Sequence, residues 1–217
     1  MRHVVLLGDS VFDNGVYVEP GEPDVVQQLR EELPDEDEAT LLAFDGHVTW
    51  DVPDQLNELP DSATHLVLSV GGNDGLRYLA ELQEVLVGAG SPMELMMTLG
   101  AIKRSFAHDY RATIESIAAH DLPTCLFTIY SGSFAEHGET ALQQVVDTVL
   151  PLFNDVIYEQ AMDHGFPVVV LDCLFDDPND YANAIEPSAQ GGRKIARTIS
   201  RIVETHPFSD PNVVLFH

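Results

Sequence analysis

Val4-Val5-Leu6-Leu7-Gly8-Asp9-Ser10 is an apolar run of strand length that ends in a glycine and two polar residues. It reads as a buried first strand, with the glycine letting the chain turn sharply where the strand stops. Runs of the same kind recur at Leu41-Leu42-Ala43-Phe44, His65–Val70, Pro123–Tyr130 and Pro167–Leu171. Between them, apolar residues recur at helical spacing, as in Val25, Val26, Leu29 and Leu33 behind Pro23. Further helices are expected near Val52–Leu59, Leu76–Leu86, Met93–Ala119, Thr140–Met162 and Pro187–Glu204. Five strands alternating with helices predict an α/β fold, a mostly parallel sheet covered on both faces, in the order 2-1-3-4-5. Val168-Val169-Val170 suits a strand buried on both sides. The tail after His206 is the least patterned part of the chain.

The length of 217 residues and the 45% hydrophobic content suit one domain spanning 1–217. No stretch approaches the roughly 18–20 apolar residues of a membrane span. The N-terminus runs straight into the first strand and does not read as a signal peptide. The two cysteines, Cys125 and Cys173, sit in apolar runs and read as reduced core residues, so the expected compartment is the cytoplasm. Asp and Glu total 36 against 10 Lys and Arg, a formal net charge of −26. Such a surface repels nucleic acid and anionic membranes. The plain reading is a self-repelling, soluble surface. The sharper one is adaptation to high salt, where screening removes the repulsion, and it is supported by a lysine count of two, Lys103 and Lys194.

In open α/β sheets, ligands bind outside the carboxyl ends of the strands. Three polar, glycine-containing motifs fall at such ends. The first is Gly8-Asp9-Ser10-Val11-Phe12-Asp13-Asn14-Gly15, the second Ala43-Phe44-Asp45-Gly46, and the third Ser69-Val70-Gly71-Gly72-Asn73-Asp74. A serine just past a buried strand can point its hydroxyl into the crevice. Gly46 leaves a backbone N–H open to close approach, and the Asn73 amide can donate to developing negative charge.

In this order, the three motifs resemble the blocks of the SGNH/GDSL hydrolases, and the likeness runs from Gly8 to the last helix. It implies a three-layer α/β/α sandwich of flavodoxin-like type and a serine esterase that needs neither metal nor organic cofactor. By that resemblance Ser10 is the nucleophile. The oxyanion hole is the Ser10 and Gly46 N–H groups with the Asn73 side chain. Asp9 and Asp74 read as supporting residues, Asp9 by holding the serine loop through backbone N–H groups and not by proton transfer. The substrate implied is a small ester or acylated molecule.

The last block departs from the family. Where the family has Asp-x-x-His-Pro before the final helix, this chain has Asn183-Ala184-Ile185-Glu186-Pro187. An imidazole shuttles protons near neutrality, whereas an ordinary Glu near 4.3 is a weak base unless burial raises it. The swap is coordinated, because a neutral Asn183 can donate to a Glu186 carboxylate that an Asp would repel. A Ser10–Glu186 arrangement with Asn183 beside it is therefore one reading. The alternative is an SGNH-fold protein of weak or no activity that uses the oxyanion donors to clamp an ester-like or glycan ligand. His47 is a second candidate base, and its plain reading is a local turn residue. His206 and His217 read as tail residues, and Asp45 as a turn cap. Asp172 and Cys173 could border the crevice, and Phe12, Tyr17, Trp50 and Tyr78 could line an apolar pocket or fill the core.

Overall fold

The computed structural model describes residues 1–87, 90–209 and 213–217, the side chains of 80–87 excepted. Its strands are β1 (His3–Gly8), β2 (Glu38–Leu41), β3 (His65–Ser69), β4 (Thr124–Phe127), β5 (Val168–Val169) and β6 (Leu215–Phe216). They form one sheet in the order β2-β1-β3-β4-β5-β6 with every pair parallel. The expected order is present, with a sixth strand added. Leu215 and Phe216 pair with Val168 and Val169. Two residues carry no periodicity, which is why the tail shows no strand signal.

The second strand lies earlier than the apolar run Leu41–Phe44 suggests. Its register is His3↔Glu38 to Leu6↔Leu41. Leu42 and Ala43 both donate to the Leu6 carbonyl at 2.9 Å, which ends the pairing and turns the chain. β2 buries little of its surface, so its residues alternate and lack the continuous apolar signature of a central strand.

The helices are α1 (Val25–Glu32), α2 (Val52–Leu56), α3 (Gly72–Val87), α4 (Pro92–Ala118), α5 (Thr140–His164), α6 (Leu171–Leu174) and α7 (Ala189–Thr205). The starts of three are set by side chains that satisfy free N–H groups. Asp24 and Gln27 form a capping box on α1, Ser91 and Glu94 one on α4, and Ser188 caps α7. Alternation along β1 divides the core. Val4 and Leu6 join Leu29, Ile195 and Ile199 on the α1–α7 face. Val5 and Leu7 join Phe106, Ile114 and Ile157 on the α4–α5 face. Helices therefore cover both faces and leave the carboxyl edge of the sheet to the loops.

Candidate active site

Ser10 stands one residue beyond Asp9 at the end of β1 and is 8% exposed. Gly8 makes this turn. Its φ is +124°, and a Cβ there would lie 1.8 Å from the Ser69 carbonyl oxygen. Asp9 N–H donates to that same oxygen at 3.1 Å, and Phe12 and Asp13 N–H donate back to the Asp9 carbonyl. The Ser10 N–H has no acceptor among the described residues.

The loop after β2 carries Gly46, with φ +82° and an N–H likewise without an acceptor among the described residues. Asp45 N–H donates to Asp13 at 2.9 Å and Tyr17 O–H to Asp45 at 2.8 Å, tying this loop to the one after Ser10. Asn73, in the first turn of α3, donates to the His47 carbonyl at 2.9 Å. Buried Asp74 accepts from the Thr49 N–H at 3.1 Å and hydroxyl at 2.8 Å, and Thr113 donates to the Thr49 carbonyl. Burial raises the Asp74 carboxyl and these Thr49 bonds oppose the rise. Asp74 thus supports the loop and not the nucleophile directly.

Gln55 is a support that the sequence does not disclose. Its Oε1 accepts from Gly8 N–H, and its Nε2 donates to the Gly8 carbonyl and to His47 Nδ1, at 2.8, 2.8 and 2.9 Å. Since Gly8 N–H must meet the amide oxygen, the amide nitrogen faces His47. His47 Nδ1 is then an acceptor, so the neutral ring carries its proton on Nε2, and its lone pair is already engaged. That geometry opposes His47 as the base.

The loop before α7 brings Glu186 to the site. An isolated bridge joins Tyr181 and Pro187, and Ala182 N–H donates to the Glu186 carbonyl at 2.8 Å. Asn14 Nδ2 donates to the Pro187 carbonyl at 3.1 Å while its Oδ1 accepts from Val25 N–H at 2.9 Å. Tyr130 O–H donates to the Ile185 carbonyl. The expectation that Asn183 donates to Glu186 is corrected. Asn183 Oδ1 instead accepts from the Ile185 and Glu186 N–H groups at 2.9 and 3.0 Å. It shapes the turn, as short polar side chains do for their own backbone.

Glu186 is 6% exposed, and its Oε2 is buried without a partner. Burial raises its carboxyl, the nearby Ser10 side chain opposes the rise, and the Asp45 charge adds to it. Ser10, Asn73 and Glu186 line one cavity of about 100 Å³. Its apolar wall comes from Leu76 and Leu79 of α3, Val146, Val149 and Phe153 of α5, and Ile129. Gly46 is exposed and outside that lining.

The four aromatic candidates lie elsewhere. Phe12 packs edge-on to Phe127, Tyr17 binds Asp45, Tyr78 leans on Phe153, and exposed Trp50 lies under the Arg77 guanidinium. Asp172 accepts from the Ser131 N–H and hydroxyl outside the cavity. Cys173, expected in the core with Cys125, is exposed because β5 ends at Val169 and the chain turns into α6. His206 packs edge-on to Phe208 and Phe216, away from the cavity.

A family model described as GDSL-like Lipase/Acylhydrolase family matches residues 6–194. Solved structures of like fold include phospholipase A1 from Streptomyces albidoflavus NA297, at 17% identity and TM-score 0.62, covering 94% of this chain and 98% of that one. A lipase from a goat rumen metagenome matches at 19% identity and TM-score 0.67, with 93% and 97% covered. The acetyl xylan esterase AlAXEase matches at 18% identity and TM-score 0.64, with 93% and 99% covered. No curated protein sequence matches.

Proposed function

The chain belongs to the GDSL-like lipase/acylhydrolase family, and we propose that it is a serine hydrolase of a small ester or acyl group, carried by one domain over residues 1–217. The observation that supports this most is the meeting of Ser10, Asn73 and Glu186 in one apolar-walled cavity, with the Ser10 side chain near enough to Glu186 to hold its carboxyl down against the effect of burial. In this reading Glu186 takes the Ser10 proton as the hydroxyl oxygen bonds to the carbonyl carbon. It returns the proton to the leaving oxygen as the ester bond breaks, and a water molecule, deprotonated by Glu186 in turn, then attacks the acyl carbon so that the acid leaves and Ser10 regains its proton. The open N–H groups of Ser10 and Gly46 and the second Asn73 amide hydrogen face the oxyanion. Asn183 positions Glu186 through the turn. A cytoplasmic location belongs to the reading, since an exposed free thiol at Cys173 suits a reducing compartment.

One observation favours the rival reading of a ligand-binding protein with little activity: among the described residues no histidine lines the cavity. A fluorophosphonate serine probe with mass spectrometry separates the two. The hydrolase reading expects an adduct on Ser10 and hydrolysis of short p-nitrophenyl esters that falls by roughly 10²–10⁴-fold in Glu186→Gln. An unlabelled Ser10, or equal hydrolysis by wild type and Glu186→Gln, sinks it.

A further inference from the structure

One carboxyl at the cavity has no task in the reaction as written. Asp9 precedes the nucleophile, is 3% exposed and lines the same cavity as Glu186. Its Oδ1 accepts from Val11 N–H at 3.1 Å. Its Oδ2 lies 4.0 Å from where a side chain on Gly72 would begin, and so faces the start of α3. The charged groups acting on it are all acidic: Glu186 from the loop before α7, Asp74 from α3 and Asp45 from the loop after β2. Tyr130, beyond β4, is the other titratable group that feels it, and burial keeps that phenol neutral. Among the described residues no basic side chain lines the cavity.

Two buried carboxylates in one apolar cavity repel each other and lose hydration together, so one of them holds a proton. The surroundings decide which. Glu186 has the Ser10 side chain beside it in the cavity, which favours its ionised form, and feels the Asp45 carboxylate. Asp9 has a single backbone donor and three acidic neighbours. Resting on the roles given to Ser10 and Glu186, we propose that Asp9 and Glu186 share one proton, that it stays on Asp9, and that neutral Asp9 leaves Glu186 ionised to act as base. Burial first, then the acidic neighbours, pushes Asp9 up to about 8, in keeping with that assignment. The Asp9 proton does not move during turnover. Asp9 is a positioning residue that acts through the charge of the cavity, where a further negative charge would oppose the oxyanion.

The active form therefore carries a protonated Asp9 and an ionised Glu186. Turnover rises with pH as Glu186 ionises and falls again as Asp9 ionises near 8. Asp9→Asn fixes a neutral side chain. It should keep hydrolysis, at a lower plateau, and carry it beyond the pH at which wild type falls off. Stability gives a second readout. With its folded value raised, the stability contributed by Asp9 is complete below the unfolded value near ~4 and is lost as pH rises through about 8. The melting point of Asp9→Asn should therefore drop less than that of wild type between those limits. Carboxyl carbon NMR of wild type, assigned with Asp9→Asn, should show Asp9 titrating well above the ordinary carboxylate range.

Three results overturn the proposal: an ordinary carboxylate titration for Asp9, an alkaline fall unchanged in Asp9→Asn, or a folded Asp9→Asn that is inactive at every pH. The reading beneath it fails by different results, an unlabelled Ser10 or a fully active Glu186→Gln, so the two failures are distinguishable.

Discussion

Two loops border Ser10 and are held in different ways. The loop carrying Gly46 is gripped by side chains from three helices: Gln55 of α2, Asn73 and Asp74 of α3, and Thr113 of α4. The loop carrying Glu186 is gripped mainly at its own backbone, by Asn14, Tyr130 and Asn183, and behind it by Lys194 on buried Asp180 at 2.6 Å. In the first loop the group proposed to work is itself main chain, the Gly46 N–H, and the grip on neighbouring His47 and Thr49 sets it in place. In the second the grip falls on carbonyls and N–H groups while the working side chain projects into the cavity. A loop held by its backbone tolerates exchange of what it presents. Asn183 accepts from two N–H groups just as an aspartate would, so position 183 can change while the turn persists. Position 186 can then change the chemistry without changing the scaffold.

The largest effects expected test the scaffold on each side. Gly8→Ala puts a methyl 1.8 Å from the Ser69 oxygen, and Gly191→Ala puts one 2.2 Å from the Asp180 oxygen. Each should cost more than about 3 kcal/mol, or prevent folding, by urea unfolding. Gly46→Ala meets nothing within 4 Å. Only its positive φ resists, at roughly 1–2 kcal/mol, and its loss should appear mainly in kcat. Three equal, mild effects would break the comparison.

Smaller effects come from the polar clamps. Gln55→Ala leaves the buried Gly8 N–H without an acceptor and releases His47, and Asn14→Ala leaves Val25 N–H and the Pro187 carbonyl unpaired. Both should cost about 1–3 kcal/mol in denaturant titrations. Their pH–rate profiles should differ. Gln55→Ala lowers the whole profile, because it disturbs the oxyanion loop. Asn14→Ala also moves the acid limb, because it disturbs the placement and burial of Glu186. Profiles of identical shape would show that the two loops are not separate devices.

These clamps also mark the limit of what the sequence discloses. Gly8-Asp9-Ser10 and Gly71-Gly72-Asn73-Asp74 are legible because a glycine must stand where the strand turns, and a polar residue just beyond it has one place to point. Gln55 and Asn14 reach main-chain atoms 47 and 173 positions away, and no local pattern encodes such partners. β2 escaped its placement because an edge strand reads as mixed, and β6 because two residues have no period. The exchange at positions 183 and 186 is visible in the sequence. The accepting direction of the Asn183 side chain is not, since an amide offers both ends.

The smallest effect concerns charge. The chain carries −26, and its two lysines are already engaged, Lys103 with Asp155 and Lys194 with Asp176 and Asp180. Salt screens exposed charges far more than buried ones. Most of the acidic surface is exposed, whereas Asp180 is fully buried under Lys194. Added salt should therefore relieve the general repulsion and spare the Lys194–Asp180 pair behind the Glu186 loop. The loop around Gly46, with Asp45 and Asp51, with Asp13 tied to it, and with no ion pair among the described residues, gains from relief alone. A net gain on the order of 1 kcal/mol would raise the melting midpoint by about 2–4 °C in a chain of this size. Melts in low and in molar sodium chloride measure it. If the midpoint stays or drops, the ion pair matters more than the repulsion, and the Glu186 loop is the electrostatically fragile side of the site.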